Sequence, residues 1–252
     1  MGSTTSIVGS GSADVTVYGN GTVIGGSGND TVTITGNGQI LLGNGNDSVD
    51  IGGNGGITLG SGNDFISLHG KGTISADGND TISLGSGNDT IHEAGSATVY
   101  GAFGNATIQG GTLEITHKGG VTKDIASTGT ATLLGGAAVT EFVGGSGSVS
   151  MVGGSGKDTF IGGTGTDTMT GGSAQNVFAF EGGGTHVITN FVSGTGQDKL
   201  YLEGNTLAQL NTAHDIQVVG GNTVITLGDG TKVTLDGVTS LTASDFTKTK
   251  PP

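Results

Sequence analysis

An acid-tipped glycine turn returns along this chain at nearly constant spacing: GGSGND at 25–30, GNGND at 43–47, GSGND at 60–64 and ADGND at 76–80. The acids Asp30, Asp47, Asp64 and Asp80 are 17, 17 and 16 residues apart. A 17-residue period is too long for one strand and one turn, and fits a coil of two strands and two turns. A second, acid-free series interleaves with the first. Its leading glycines, Gly19, Gly36, Gly53 and Gly70, recur every 17 residues, as do the apolar residues Val23, Ile40, Ile57 and Ile74. Two series sharing one period predict a parallel solenoid with two sheets, each coil stacked on the last.

Side-chain alternation supports the strands. In DTVTIT, Val32 and Ile34 face inward while Thr31, Thr33 and Thr35 face out, a period of two. Val49 with Ile51, Ile66 with Leu68, and Ile82 with Leu84 continue two inner columns. From about residue 94 to 130 the acids drop out of the pattern. A strict nine-residue period follows, in which Leu133, Phe142, Met151, Phe160, Met169 and Phe178 form a core column that Val187 extends. The expected fold is all-β: a right-handed parallel β-roll of two sheets, closed by a C-terminal β region. The segment 205–216 is the one stretch that reads as a short helix. Four segments are expected: an N-terminal β-roll at 1–93, irregular rungs at 94–143, a second array at 144–179 and a cap at 180–252.

Composition narrows the function. With 55 glycines in 252 residues and only two prolines, the chain is turn-dense, and each glycine loses roughly 0.5–1 kcal/mol more than alanine on ordering. The formal net charge is −13 and every basic residue is lysine. Such a surface attracts cations and is unsuited to nucleic acid or anionic membranes. No cysteine is present, which excludes disulfides and thiolate chemistry. No apolar run reaches the length of a membrane-spanning helix, and the first residues do not form a secretory signal. Motifs for serine hydrolases, zinc proteases and phosphate-binding loops are absent, so no enzyme is expected. His69, His92, His117, His186 and His214 are scattered and are expected at the surface.

The segments 25–33 (GGSGNDTVT), 153–161 (GGSGKDTFI) and 162–170 (GGTGTDTMT) match G-G-x-G-x-D-x-U-x at every defined position. In these motifs the sequence resembles the RTX family of calcium-binding nonapeptide β-roll proteins, over about 14–93 and 144–246. The resemblance implies several Ca²⁺ ions held between stacked turns, where carboxylates and backbone carbonyls meet the ion's demand for six to eight oxygens. It carries over to Asp30, Asp47, Asp64, Asp80, Asp158 and Asp167, with Gly26, Gly28, Gly43, Gly45, Gly60, Gly62 and Gly78 shaping the turns. Asp77 departs from the motif, and Asp14 lies one residue out of step. Asp89 falls half a coil after Asp80 and belongs to the acid-free edge. The segments 176–204 and 222–246 resemble the region that closes RTX arrays. In that family this region is read by a type I ABC exporter, which implies a secreted protein of a Gram-negative bacterium. Three roles follow: a calcium-folded structural or adhesive component of a surface layer, biofilm or adhesin; the non-catalytic secretion tail of an enzyme or toxin; or a polysaccharide- or ice-binding solenoid. Self-assembly and cell-surface polysaccharide are the candidate partners beyond calcium and the exporter.

Overall fold

The structure is a computed structural model that describes residues 4–7, 10–85, 88–101, 106–117, 122–126, 130–137, 139–180, 182–203 and 205–251. The chain divides into two units, Met1–Thr122 and Lys123–Pro252. Each is a parallel β-solenoid.

In the first unit the β-branched residues form short strands that stack in register. One sheet runs through Gly21–Ile24, Gly38–Leu41 and the openings of Gly55–Gly62 and Gly72–Leu84, with Gly21, Gly38, Gly55 and Gly72 aligned. The other runs through Asp14–Val17, Thr31–Ile34, Ser48–Ile51, Phe65–Leu68 and the end of Gly72–Leu84. Between them lies an aliphatic core in which Val23, Val32, Ile34, Val49, Ile51, Ile66, Ile74 and Ile82 are wholly buried. The 17-residue coil is therefore as expected. Its one 16-residue step is absorbed by a register shift between Thr58 and Ser61. Coils continue past the last motif acid: Ile91 pairs with Ile108 and Val99 with Ile115, all buried.

The second unit has an 18-residue coil. Ala131, Val149 and Asp167 align on one sheet, and Phe142, Phe160 and Phe178 on the other. The three phenylalanine rings stack with centroids 5.0 and 4.8 Å apart, and each such pair contributes about 0.5–1.5 kcal/mol beyond its buried area. The core column holds from Leu133 to Phe178, but Val187 does not continue it. The turn before it is one residue longer, so Met169 aligns with Ile188, which is buried, and Val187 faces the other side. The sheet then turns antiparallel: Lys232–Leu235 pairs parallel with Thr185–Ile188 and antiparallel with Asn222–Thr226. The expected helix spans Leu207–Ala213, opened by a Thr206–Gln209 capping box and ended by left-handed His214.

Candidate metal centres

The turn acids of the first unit form a buried ladder. Asp30, Asp47, Asp64 and Asp80 are each at most 3% exposed. The coil register brings them over one another, and each carboxylate turns toward the preceding coil. Ala13 N–H donates to Asp30 Oδ1 at 2.9 Å, Asp30 N–H to Asp47 at 2.9 Å, Asp47 N–H to Asp64 at 2.8 Å and Asp64 N–H to Asp80 at 2.9 Å. The second oxygen, Oδ2, of all four is buried without a hydrogen-bond partner. Strands stack about 4.8 Å apart, and two carboxylates at that separation repel by roughly 3 kcal/mol at an effective dielectric of about 20. A ladder with one spare buried oxygen per rung therefore fits a row of hard cations, which supply the charge that the backbone N–H groups cannot.

Glycine makes the turns possible in two ways. Gly28, Gly45 and Gly78 adopt φ of 138°, 144° and 143°, a region closed to other residues at low cost. Gly43 and Gly60 are required for proximity instead: a Cβ would stand 2.7 Å from the Gly26 carbonyl oxygen and 2.8 Å from that of Gly43. At Gly62 a Cβ would collide with the carbonyl of Gly45 in the coil before.

Electrostatics in the calcium-free state favours protonation. Burial pushes the Asp47 carboxyl up. Asp64 rises to about 6, chiefly through burial and then through the charges of Asp80 and Asp47, against the Asp47 N–H that lowers it. Glu93 rises to about 8, first through burial and then through the neighbouring Asp80 carboxyl group. Glu93 lies outside the motif, yet it is buried, with Oε2 unpartnered, and it faces the Asp80 end of the ladder, where the aligned residue of the next coil is Ala97. Its position in an ordinary strand hid it from the sequence. At the other end Ala13 occupies the ladder position and Asp14 is exposed one residue beyond it. Asp77 is exposed and aligns with Ser61.

The opposite edge of the same coils is wired differently. Asn37 N–H donates to Asn20 Oδ1, Asn54 N–H to Asn37 and Lys71 N–H to Asn54, at 2.8, 2.8 and 3.0 Å. These amides are exposed, and their hydrogen bonds point back to the earlier coil, opposite in sense to the aspartate ladder. Asp89 does fall on this edge, aligned with Ala106 on one side, and its Oδ1 accepts from Gly72 N–H at 2.8 Å on the other. It has no acidic neighbour in the stack.

In the second unit Asp158 sits in a different ladder. Its Oδ1 accepts from Thr140 N–H at 2.8 Å and its Oδ2 from Gly154 N–H at 3.2 Å. The next rungs are Asn176, whose Oδ1 accepts from Asp158 N–H at 2.9 Å, and Asp198, which accepts from Asn176 N–H at 2.8 Å and Val192 N–H at 3.0 Å. Acid, amide and acid alternate, so no two carboxylates are adjacent. Asp198 is 2% exposed and went unrecognised in the sequence because four extra residues stretch its step from Asn176 to 22. Asp167 lies on the other edge between Val149 and His186. His186 is wholly buried, contrary to the surface position expected of it, whereas His69, His92 and His214 are exposed. The His117 side chain lies outside the described residues.

Stacked glycine turns, buried half-satisfied carboxylates and a repeating coil define a metal-binding parallel β-solenoid. The RTX calcium-binding nonapeptide repeat matches the chain in four copies, over residues 15–33, 75–92, 134–169 and 143–178. The chain carries RTX calcium-binding repeats in these arrays, and such repeats imply Ca²⁺ at multiple sites. No curated protein matches the chain.

Proposed function

We propose that this is a secreted protein that folds on meeting extracellular Ca²⁺ and then serves a structural or adhesive role at a cell surface or in a matrix. The observation that carries the reading is the row of buried Oδ2 atoms on Asp30, Asp47, Asp64 and Asp80, with no protein partner. Such a row disfavours the folded state until cations arrive. Extracellular modules bind calcium at about 10⁻⁴–10⁻³ M, so the coils stay open at submicromolar calcium and close at millimolar calcium. The proposed ligands are these four acids with the turn carbonyls around Gly26, Gly28, Gly43, Gly45, Gly60, Gly62 and Gly78, and Asp158 in the second array. No helix among the described residues is long and apolar enough to cross a membrane.

The role is non-catalytic in this reading, and the outward rows support an interaction surface better than an active site. Thr31, Ser48, Phe65 and Thr81 align on one sheet face, too irregular a series for an ice lattice. Surface polysaccharide or another copy of the chain is the partner proposed. Export through a type I transporter would be directed by the region after residue 176. The test is sedimentation of labelled full-length protein with Gram-negative cells in millimolar calcium. We expect the protein to pellet with the cells and to be released by chelator. Protein that stays in the supernatant at every calcium level would remove the adhesive role.

A further inference from the structure

We propose that Asp167 and His186 form a separate site for a small divalent transition-metal ion, with Zn²⁺ as the reference ion, at the end of the second array. The two residues align on adjacent strands, Thr166–Thr170 and Thr185–Ile188. Both side chains are wholly buried, and neither Asp167 oxygen nor His186 Nδ1 has a hydrogen-bond partner. Three unsatisfied polar atoms thus converge in one place, and a burial of that kind disfavours the fold unless something fills it.

The histidine's other nitrogen shows what is missing. His186 Nε2 lies 3.2 Å from the carbonyl oxygen of Gly183, which can only accept, so Nε2 carries the hydrogen. In the neutral ring Nδ1 is then a bare lone pair, held 3.0 Å from Asp167 Oδ2. Two acceptors face each other. A proton on Nδ1 would repair the clash by making the contact an internal ion pair. An ion seated beside both atoms repairs it as well. Ligating histidines commonly give their second N–H to a backbone carbonyl, the arrangement that Gly183 provides. Phe180 fixes the ring further, with centroids 4.9 Å apart and planes at 36°.

Ligand chemistry selects the ion class. Calcium takes oxygen, whereas imidazole nitrogen suits zinc, nickel or cobalt. Zinc binds nitrogen and oxygen at about 2.0–2.2 Å, and two ligands 3.0 Å apart at that radius subtend an angle of about 90°. The floor is cut to leave room: a Cβ on Gly162 would come within 2.9 Å of His186 Nδ1, and one on Gly144 within 3.0 Å of Asp167 Oδ2. His186 stands where the repeat motif calls for aspartate, so the substitution changes the donor set from all oxygen to mixed oxygen and nitrogen.

The experiment uses the full chain held in saturating calcium, about 5 mM. Zinc is titrated by calorimetry, and Co²⁺ by its visible absorption. One equivalent of zinc is expected, together with a zinc-induced shift of the His186 Nδ1 resonance in ¹⁵N spectra of the wild-type protein. His186→Asn should weaken zinc at least tenfold and leave the calcium equivalents unchanged. His186→Asp, which restores the motif acid, should lose zinc and gain one calcium. A wild-type chain that takes no zinc, an unmoved His186 ring, or zinc retained by His186→Asn would overturn the proposal and make the pair an internal ion pair. The ¹⁵N measurement needs no variant to fold.

Discussion

The two units carry the same repeat motif and spend it differently. In the first, aspartates stand on consecutive rungs over an aliphatic core, and each keeps one buried oxygen without a partner. In the second, the Asp158 edge alternates acid with amide, both oxygens of Asp158 and Asp198 are met by N–H donors, and three phenylalanines stack beneath. A matching motif thus identifies a turn that can hold an ion, and the neighbouring rungs decide how much the fold depends on it. In the proposed reading the first unit depends on cations for charge balance. The second has internal donors and aromatic packing to stand on.

The largest expected effect tests that contrast directly. Removing calcium with chelator should open the coils between 14 and 93 while the strands around Phe142, Phe160 and Phe178 stay closed. Hydrogen exchange read segment by segment measures it, and equal loss of protection in both units would erase the distinction. Single rungs come next. If free calcium is about ten times Kd, each site contributes roughly 1.4 kcal/mol by mass action. Asp47, with acids on both sides, should serve two sites, so Asp47→Ala should cost about twice that. Asp158→Ala, between Thr140 and Asn176, should cost no more than one site, and Asp89→Ala less still. Calcium counting by calorimetry on the three variants ranks them, and identical losses would mean that adjacency of acids is irrelevant.

The smallest effect is on pH. Carboxyls raised to about 6 at Asp64 and about 8 at Glu93 bind protons more tightly in the calcium-free fold than in the unfolded chain. That fold therefore gains stability as pH falls through about 8 toward the unfolded carboxyl range near 4, and loses it as pH rises. Calcium must displace those protons, so its midpoint for folding the first unit should rise as pH falls from about 8 to 6. The second unit, whose Asp158 edge lacks adjacent acids, should show a flatter profile. Circular dichroism titrations at three pH values decide this, and a midpoint independent of pH would contradict the protonated ladder.

Most of the coil was readable from periodicity, because a 17-residue repeat of Val, Ile and Asp leaves only one register in which the recurring columns, such as Val32 with Val49 and Ile34 with Ile51, are inside. Asp30, Asp47, Asp64 and Asp80 were legible for the same reason. What escaped lay where the count changes or the motif stops. An extra residue before Thr185 moved the core position from Val187 to Ile188 and put His186 in the aspartate's place. Glu93 reaches the last acid from an ordinary strand, and no spacing rule flags a long side chain that turns back. The hydrogen-bonded asparagines were visible as turn residues, but the sense of their bonds was not, since that depends on which neighbouring coil each side chain meets.

That opposed wiring has a consequence for length. Each interior coil of the first unit gives N–H groups forward to the next aspartate and backward to the previous asparagine, so both its edges are addressed to identical partners. Coils are therefore interchangeable parts. Excising residues 35–51 would bring Gly52 to the place of Thr35, and Asp64 would arrive where Asp47 had been, with the aspartate and asparagine rows unbroken and only the Gly19 N–H losing its partner, the Thr35 hydroxyl. Gain or loss of a whole coil changes reach by one strand spacing, about 4.8 Å, and leaves the joints intact. A lineage carrying such a chain can adjust how far it extends by copying or dropping 17-residue blocks, much as a ruler is cut at its marks.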